Sequence, residues 1–571
     1  MDGPDCRFLS TSGGEAKSTP YSDVFVTLSK QEHIELLCAA NFWKAEHRRA
    51  ADRAVRIKAV CEERMRRSGR RAEQREAALL GELEKAQARI RDLEHRLFGR
   101  KSERRWVIDD QHRQPADRKR RRGQQRGAAG HGRTRLELLP ACAEDVGLES
   151  PVCPRCSEPL SLFPGTDDCE VLEVEVRAYR RVIRRRRYRR TCQCPGVAGI
   201  ITAPTPSRLI ARGKFGISVW VQVLLDKFLY GRPTYRLVQD LADRGLSLSM
   251  GSVTGGLQAL APLFAPLKRA LLRKLRSEAH WHADETRWEV FVEIDGKSGH
   301  RWYLWVFASG SVAYYEIDES RSAAVPSAVL AGVQGGTISC DRHGAYKKFA
   351  RLHPGFTLSF CWAHQRRDLL NLANDYPEVA PWALAWAQCI GDLFALHSER
   401  RDAPPDSRQR AELDRQLRST VQEMLVKREA ALADPTLPAP AAKVLESMRD
   451  HWAGLTTFVE QPMLPMDNNA AERALRLAVV GRKNFYGSGS QWSGELAATM
   501  FSVLMTMRRW QINPRTWLSA YLQACADNGN CPPPSLRAFV PWTMDAARLA
   551  AMRAAAFTDP GERHRAGVDT S

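Results

Sequence analysis

The sequence predicts a mixed α/β domain that follows a long helical N-terminal region and a small metal-binding module. Three observations lead to this prediction. A proline-free stretch rich in Ala, Glu, Arg and Leu begins near residue 30, two pairs of cysteines stand near residues 153 and 192, and short apolar runs separated by turn signals begin near residue 282. These patterns are typical of a helix, of a structural zinc site and of β-strands, respectively.

Composition bounds the class of protein before any motif is considered. The 571 residues suffice for several folded units, because domains usually hold roughly 100 to 200 residues. Lys and Arg number 86 against 66 Asp and Glu, a formal net charge of +20. This excess indicates a polyanionic partner, above all nucleic acid.

The chain shows no run of about 18 consecutive apolar residues that would span a bilayer, and its first residues lack the pattern of a secretion signal. We therefore expect a soluble cytoplasmic protein, nucleoid-associated when bound to DNA, with no membrane partner. Its 14 cysteines are then expected to be reduced thiols or metal ligands.

The N-terminal region is predicted to be a loose tail over residues 1–29 and a helical coiled-coil region over residues 30–108. Its apolar residues alternate at spacings of four and three, as Leu79, Leu83, Ala86, Ile90, Leu93 and Leu97. This heptad seam of about three repeats predicts a homo-oligomer that forms through the helix. One amphipathic helix that packs on its own chain is the alternative.

Residues 109–140 are predicted to be a basic linker that grips phosphates without sequence specificity, and residues 141–205 a zinc-binding module. Cys153 and Cys156 form a C-x-x-C pair, whereas Cys192 and Cys194 form a C-x-C pair. Four thiolates suit tetrahedral Zn²⁺. Cys169 is a possible substitute ligand, and free thiols are the alternative to a metal site.

An arginine-rich stretch separates the two cysteine pairs and has the alternation of paired strands. Guanidinium groups on a rigid hairpin suit phosphate recognition, so this stretch is a predicted DNA contact. Its central residues are Arg184, Arg185, Arg186 and Arg187. Residues 206–275 follow as a predicted helical DNA-binding region, whose spacing resembles a helix-turn-helix or, equally, a helical hairpin used only for packing.

Residues 276–485 are predicted to form the catalytic domain. Three successive strands are expected over residues 287–294, 301–307 and 312–317, and helices then alternate with strands at 336–340 and 356–360. Three antiparallel strands followed by such alternation match an RNase H-like α/β core. A helical insertion is expected at about residues 362–465, and residues 486–571 are a predicted C-terminal helical segment.

Three carboxylates are candidates for one metal site. Asp284 is placed at the start of the first strand, Asp341 at the end of the fourth, and Glu472 on a helix that begins near Asp467. Three such groups can hold two Mg²⁺ or Mn²⁺ ions about 3.5 to 4 Å apart for phosphoryl transfer. The alternatives are that Asp284 terminates a strand, Asp341 caps a helix, and Asn469 with Glu472 forms a capping box.

Several short strings, read together, resemble the insertion sequence 66 family of DDE transposases, of the large-subunit type. They are residues 97–103 (LFGRKSE), the two cysteine pairs, Ala203-Pro204, residues 282–288 (HADETRW), 361–368 (CWAHQRRD), 467–473 (DNNAAER) and 539–542 (FVPW). The resemblance extends over almost the whole chain. At His343 the family more often has an aromatic residue.

The resemblance implies that Asp284, Asp341 and Glu472 are the catalytic acids and the ligands of Mg²⁺. Water would attack first at the element end, and the freed 3′-hydroxyl would then attack target DNA. The partners would be the element's terminal inverted repeats, target DNA and possible accessory proteins of the same element. Candidate DNA contacts near the acids are His364, Arg366, Arg367, Arg473, Arg476, Arg482 and Lys483.

Two other functions fit parts of the sequence. A DNA-binding regulator would use the basic charge and the zinc module while the acids serve structure only. A structure-selective nuclease of the same fold would use the acids without needing terminal repeats. The regulator would tolerate Asp284→Asn, whereas an enzyme would lose cleavage.

Overall fold

The structure is a computed structural model, and it describes residues 27–98, 151, 154–161, 176, 178–189, 191, 198, 200–211, 213–293 and 299–553. The chain divides into two compact units, residues 1–101 and 102–571. The predicted basic linker, Cys153, Cys169, Cys192 and Cys194 lie outside the described residues. Cys156 is described and is exposed.

The first unit contains one continuous helix, α1 (Lys30–Phe98). Ion pairs one turn apart, such as Glu63 with Arg67 at 2.8 Å, support this solvent-exposed helix. The helical prediction for the N-terminal region is confirmed. Three residues of the heptad seam, Leu79, Leu83 and Ile90, are 65%, 55% and 55% exposed. The association of two such helices stays a prediction.

In the second unit, a short antiparallel ribbon pairs β1 (Arg187–Arg189) with β2 (Ile200–Thr202). Arg185 Nε donates to the Ala203 carbonyl at 2.6 Å, which ties the arginine-rich stretch to the second strand. The side chains of residues 184–187 are exposed. The ribbon therefore presents its arginines to solvent.

Three helices precede the main sheet: α2 (Ile217–Phe228), α3 (Thr234–Asp243) and α4 (Met250–Arg276). Helix α4 buries a leucine-rich face, and Gly256 lies against the Trp220 ring so closely that a Cβ would stand 1.8 Å from it. No Lys or Arg occurs between residues 250 and 267. Helix α4 therefore packs on the rest of the chain, whereas DNA contact by residues 206–275 stays a prediction.

The main sheet contains β3 (His280–Val290), β4 (Arg301–Ala308), β5 (Ala313–Asp318), β6 (Gly336–Cys340), β7 (Phe356–Phe360) and a short β8 (Gly487–Ser488). Its order is β5-β4-β3-β6-β7, and β8 also pairs with β3. The first three strands are antiparallel, whereas β6, β7 and β8 run parallel to their partners. The predicted mixed α/β domain is confirmed.

Two helices connect these strands, α5 (Ala324–Val329) and α6 (Gly344–Leu352). The insertion then supplies α7 (Trp362–Asp375), α8 (Ala380–Asp402), α9 (Arg408–Ala433), α10 (Ala439–Asp450), α11 (Trp452–Leu455) and α12 (Thr457–Glu460). The segment Pro377–Asp402 is long and apolar enough to cross a bilayer. It nevertheless carries Arg400, which is 1% exposed and donates to the Phe458 and Val459 carbonyls, as in the core helix of a folded domain.

The chain ends with α13 (Asn469–Phe485), α14 (Gln491–Arg509), α15 (Pro514–Asp527) and α16 (Ala546–Arg553). Helix α14 covers β5 and satisfies two of its backbone N–H groups through hydroxyls. Tyr315 N donates to Ser502 Oγ at 2.8 Å, and Ala313 N donates to Thr506 Oγ1 at 3.1 Å. These bonds protect the edge strand from pairing with another chain. One hydrophobic core joins the three segments predicted as 206–275, 276–485 and 486–571.

Candidate active site

Asp284 lies in the middle of β3, not at the start of a strand. It is opposite Val306 of β4, and β3 begins four residues earlier, at His280. The placement at a strand start, and with it the strand-terminating alternative for Asp284, was wrong. Residues 281–283 of β3 are all buried, so the polar His282 interrupts the apolar alternation by which a half-exposed strand is recognised. The carboxyl group is thus presented from the centre of the sheet.

The structure brings the three candidate acids into one electrostatic cluster. Asp341 directly follows β6, the strand beside β3, and Glu472 lies in the first turn of α13, which packs on β3 and β4. Burial, the largest cause, raises the pKa of Asp284 from 3.8 to about 8. The charges of Glu285, Asp341 and Glu472 raise it further, while a bond from the Glu285 backbone N–H lowers it.

This oxygen-only donor set fits a hard divalent cation. Asp284, Asp341 and Glu472 offer carboxylate oxygens, the ligands that Mg²⁺ and Mn²⁺ prefer. A cation among them would relieve the mutual repulsion that raises the pKa of Asp284. These three side chains could therefore hold a divalent metal ion.

Asp341 is held at the turn that leads into α6. Its Oδ1 accepts from His343 N at 2.9 Å, and His343 is the N-cap of α6. The neighbouring Arg342 donates to Gln365 Oε1 at 2.6 Å and to Ser447 Oγ at 3.0 Å. These bonds reach α7 and α10, so the helical insertion anchors the loop beside Asp341.

Glu472 does not occupy the position of a capping-box residue. Helix α13 begins at Asn469, with Asn468 as its N-cap, so Glu472 is the fourth residue of the helix. The side-chain bond at this turn belongs instead to Asp467, whose Oδ1 accepts from Asn469 N at 3.0 Å. Glu472 Oε1 lies 3.8 Å from His364 Nε2 and faces the start of α7. The capping-box alternative for Asn469 and Glu472 is contradicted.

Asn468 joins three elements of the site and is only 1% exposed. Its Nδ2 donates to the Ala283 carbonyl at 2.8 Å, beside Asp284 on β3, and its Oδ1 is 3.1 Å from His282 Nδ1. Its backbone N–H donates to Cys361 Sγ at 3.2 Å. Because Asn468 also caps α13, it sets the position of Glu472 relative to β3 and α7. The sequence analysis missed this role, although the asparagine lies within the string at 467–473.

Glu285 is a second buried group that sequence reasoning missed. Its side chain is 0% exposed and accepts from Arg321 Nε at 2.7 Å and from Tyr346 O–H at 2.5 Å. His343 Nδ1 is 3.7 Å away. The adjacent carboxyl groups of Asp284 and Glu285 therefore have different surroundings. Acidic neighbours add to the raised pKa of Asp284, whereas Glu285 accepts from a guanidinium and a hydroxyl group. In the sequence, the only sign that Glu285 belongs to the site is its position directly after Asp284.

Cys361 and His364 stand at the start of α7, next to Glu472. One ligand atom from each of these three residues lies within 4.8 Å of the others. Cys361 is buried, and His364 is half-buried. Burial lowers the pKa of His364, and the charge of Arg367 adds to this effect, so the ring is neutral near pH 7. His364 thus lies beside the predicted third acid.

The other predicted DNA contacts differ in how they are held. Arg473, Arg476 and Lys483 are exposed on α13. Arg482 instead donates to Thr286 Oγ1 at 3.0 Å and to the Arg287 carbonyl, so it fastens α13 to β3. On α7, residues 366 and 367 are half-buried and exposed, respectively.

The raised pKa of Asp284 predicts that divalent metal binding releases a proton. Between 3.8 and about 8 the folded chain binds more protons here than the unfolded chain does, so metal-free stability falls as pH rises through this window. Mg²⁺ or Mn²⁺ must displace the proton, so affinity should rise by up to about tenfold per pH unit below the pKa. Calorimetry in two buffers of different ionisation enthalpy measures the released proton. Asp284→Asn should abolish it, and an unchanged release in that variant would contradict the prediction.

Comparison with known proteins relates this sequence to transposases. A sequence model described as Transposase IS66 family matches residues 212–496, a span that contains all three acids. Three uncharacterized proteins of Sinorhizobium fredii (strain NBRC 101917 / NGR234) are similar over most of the chain. The protein y4jD is 29% identical over 429 residues, which cover 72% of this chain and 81% of the relative. The protein y4hP is 26% identical over 440 residues, which cover 72% of this chain and 77% of the relative. The protein y4qI is 25% identical over 412 residues, which cover 69% of this chain and 74% of the relative.

Proposed function

The chain belongs to the IS66 transposase family, and from this premise we propose that it is a metal-dependent DDE transposase. It cleaves DNA at the ends of its own mobile element and joins the freed ends to target DNA. The observation that carries the proposal is the cluster of Asp284, Asp341 and Glu472, in which burial and then the charges of neighbouring carboxylates raise the pKa of Asp284 to about 8. A purely structural cluster would gain nothing from such repulsion.

The roles of the residues follow from their positions. Two divalent ions held by the three acids would supply an activated oxygen nucleophile and stabilise the leaving oxygen. Asp284 gives up its proton when the site is loaded and takes it back when the site empties. Asn468 holds the start of α13, which carries Glu472, and Arg342 holds the loop that carries Asp341. No covalent link between the chain and DNA is needed, because water and then the 3′-hydroxyl attack the phosphates in line.

The remaining parts of the proposal concern DNA and assembly. The mixed sheet is an RNase H-like core, and the arginines at 184–187, together with His364, Arg366, Arg367, Arg473 and Lys483, contact DNA. Arg482 supports this face through its bonds to β3. The cysteine pairs hold Zn²⁺ in a ribbon, α1 forms a coiled coil between copies, and accessory proteins of the element assist. The protein works in the bacterial cytoplasm on the nucleoid.

The test is cleavage of a DNA duplex that carries an element end and its flank. We expect a cut at the repeat boundary with Mg²⁺ or Mn²⁺ but not after chelation, and no cut when the terminal repeat is scrambled. Asp341→Asn should lose the cut while its DNA affinity, measured separately, stays unchanged. Asp392→Asn is a matched control, because Asp392 is exposed on α8 and accepts from Gln388 one turn away.

Each alternative function has its own outcome in this assay. Cutting of scrambled ends as fast as true ends would favour the structure-selective nuclease. If the wild type and Asp341→Asn both bind the element end specifically and neither cuts it, the regulator is favoured. Either result would overturn the proposed transposase function.

A further inference from the structure

The start of α7 and the first turn of α13 form a cluster of three different metal-ligand types. Cys361 and His364 are spaced as C-x-x-H, and Glu472 approaches them from the neighbouring helix. One donor atom from each lies within 4.8 Å of the other two. Tetrahedral Zn²⁺ needs ligand atoms about 3.3 to 3.6 Å apart, so small side-chain rotations would close the cluster on an ion.

Cys361 is held as metal-bound cysteines are. It is the N-cap of α7 and is 2% exposed. Its sulfur accepts from the backbone N–H of Asn468 at 3.2 Å, and burial raises the pKa of its thiol. Burial opposes the thiolate that ligates metal, whereas the backbone donor and the helix N-terminus favour it, so a bound cation has to displace the thiol proton.

His364 offers a nitrogen that no other group of the described residues uses. Its Nδ1 is buried and has no hydrogen-bond partner there, while its Nε2 is 3.8 Å from Glu472 Oε1. A buried polar atom without a partner costs about 1 to 3 kcal/mol, and a metal bond would remove that cost. One of the two ring nitrogens lies within 4.8 Å of a donor atom of Cys361 and of Glu472, and a metal bound through Nδ1 would give that atom its partner.

We propose that Cys361, His364 and Glu472 form a site for a thiophilic transition metal, with Zn²⁺ as the best fit, separate from the predicted cysteine ribbon. Sulfur, imidazole and carboxylate donors suit Zn²⁺, whereas Mg²⁺ does not take sulfur ligands. Three protein ligands leave a fourth position for water or a DNA oxygen.

The site has a regulatory consequence that rests on the proposed function. Glu472 is shared between the zinc cluster and the three-acid cluster, and one carboxylate that ligates Zn²⁺ beside Cys361 is drawn away from Asp284 and Asp341. Zn²⁺ bound here would therefore inhibit Mg²⁺-dependent cleavage. The chain would cut DNA only where free zinc is scarce.

The binding test is metal stoichiometry of the full-length chain after exposure to Zn²⁺ and removal of the excess. Wild type should hold one more zinc per chain than Cys361→Ser or His364→Ala does. Cys525→Ser is the matched control, because Cys525 is buried in α15 away from the cluster and should cost no zinc. With Co²⁺ in place of Zn²⁺, the absorption spectrum of the wild type should contain a sulfur-to-cobalt charge-transfer band. This band should be weaker in Cys361→Ser. Equal zinc content in wild type, Cys361→Ser and His364→Ala overturns the site.

The inhibition test compares zinc titrations of Mn²⁺-dependent cleavage, with each variant normalised to its own zinc-free rate. His364→Ala and Cys361→Ser should need at least about tenfold more Zn²⁺ for half inhibition than wild type or Cys525→Ser. Equal sensitivity in all four proteins overturns the inhibitory role. If no protein cuts DNA while the two variants lose one zinc, the transposase proposal fails and the metal site stands.

Discussion

Glu472→Gln is expected to abolish metal-dependent cleavage at element ends while DNA binding persists. Glutamine keeps the shape of the side chain and its place in the first turn of α13, but it removes the charge that a divalent cation needs. Losing one carboxylate from a two-metal site costs several kcal/mol of transition-state stabilisation, so cleavage should slow by about a thousandfold. The measurement is single-turnover cleavage of end-containing DNA, with affinity determined in parallel.

The control for this prediction is Glu495→Gln, an exposed acid on α14 that bonds only to Gln491 one turn away among the described residues. It should cut at the wild-type rate. Cutting by Glu472→Gln at that same rate would show that Glu472 serves only as a neighbour of His364, and the third acid would have to be sought elsewhere. Loss of DNA binding in Glu472→Gln would instead point to misfolding of α13.

Asn468→Ala is expected to lower both stability and cleavage. Its side chain bonds the Ala283 carbonyl and His282 Nδ1, and both of these groups are buried. Leaving each unpaired costs about 1 to 3 kcal/mol, so the free energy of unfolding should fall by about 2 to 5 kcal/mol. Denaturant unfolding of wild type and variant measures this loss directly.

The effect on catalysis separates positioning from mere stability. Asn468 ties β3 beside Asp284 to the cap of the helix that carries Glu472. The variant, assayed at a temperature where it stays folded, should need more Mn²⁺ for half-maximal cleavage. A purely structural role would leave the metal requirement unchanged, which would refute positioning by Asn468.

Asn469→Ala is the matched control for Asn468→Ala. Its Nδ2 donates to Asp467 Oδ2 at 2.8 Å in the half-buried turn, and no bond from it crosses to β3 among the described residues. Its loss should cost less than about 1 kcal/mol. Equal losses in the two variants would show that the turn itself, and not the link to β3, provides the stability.

The elements that sequence patterns predicted best are those in which local signals agree with burial. β6 and β7 occupy Gly336–Cys340 and Phe356–Phe360, the residues predicted, because apolar runs bounded by glycines and turns leave one possible strand. β3 was predicted to begin near Arg287 and begins at His280. Its polar first half breaks the alternation, and only pairing with β4 and β6 makes it a strand.

The sequence predicted which residue types form the candidate site, but it did not predict the hydrogen bonds that hold them in place. The identities of the three acids came from strings that stand far apart in the sequence, and their roles stay predictions. Asn468, Glu285 and Cys361 were missed, because nothing local marks an asparagine that bonds a strand 185 residues away. Such residues become visible only when the elements are packed.

The sequence by itself determined the basic charge, the long helix, the order of helices and strands and the identity of the candidate acids. These properties depend on side-chain chemistry and on patterns a few residues long, which need no fold to be expressed. Tertiary structure alone decided that Asp284 lies mid-strand with a pKa of about 8, that Arg482 supports β3, and that Cys361 and His364 share Glu472. Burial and the field of distant charges exist only after folding brings these groups together, and they determine which carboxyl is protonated and which metal each cluster can hold.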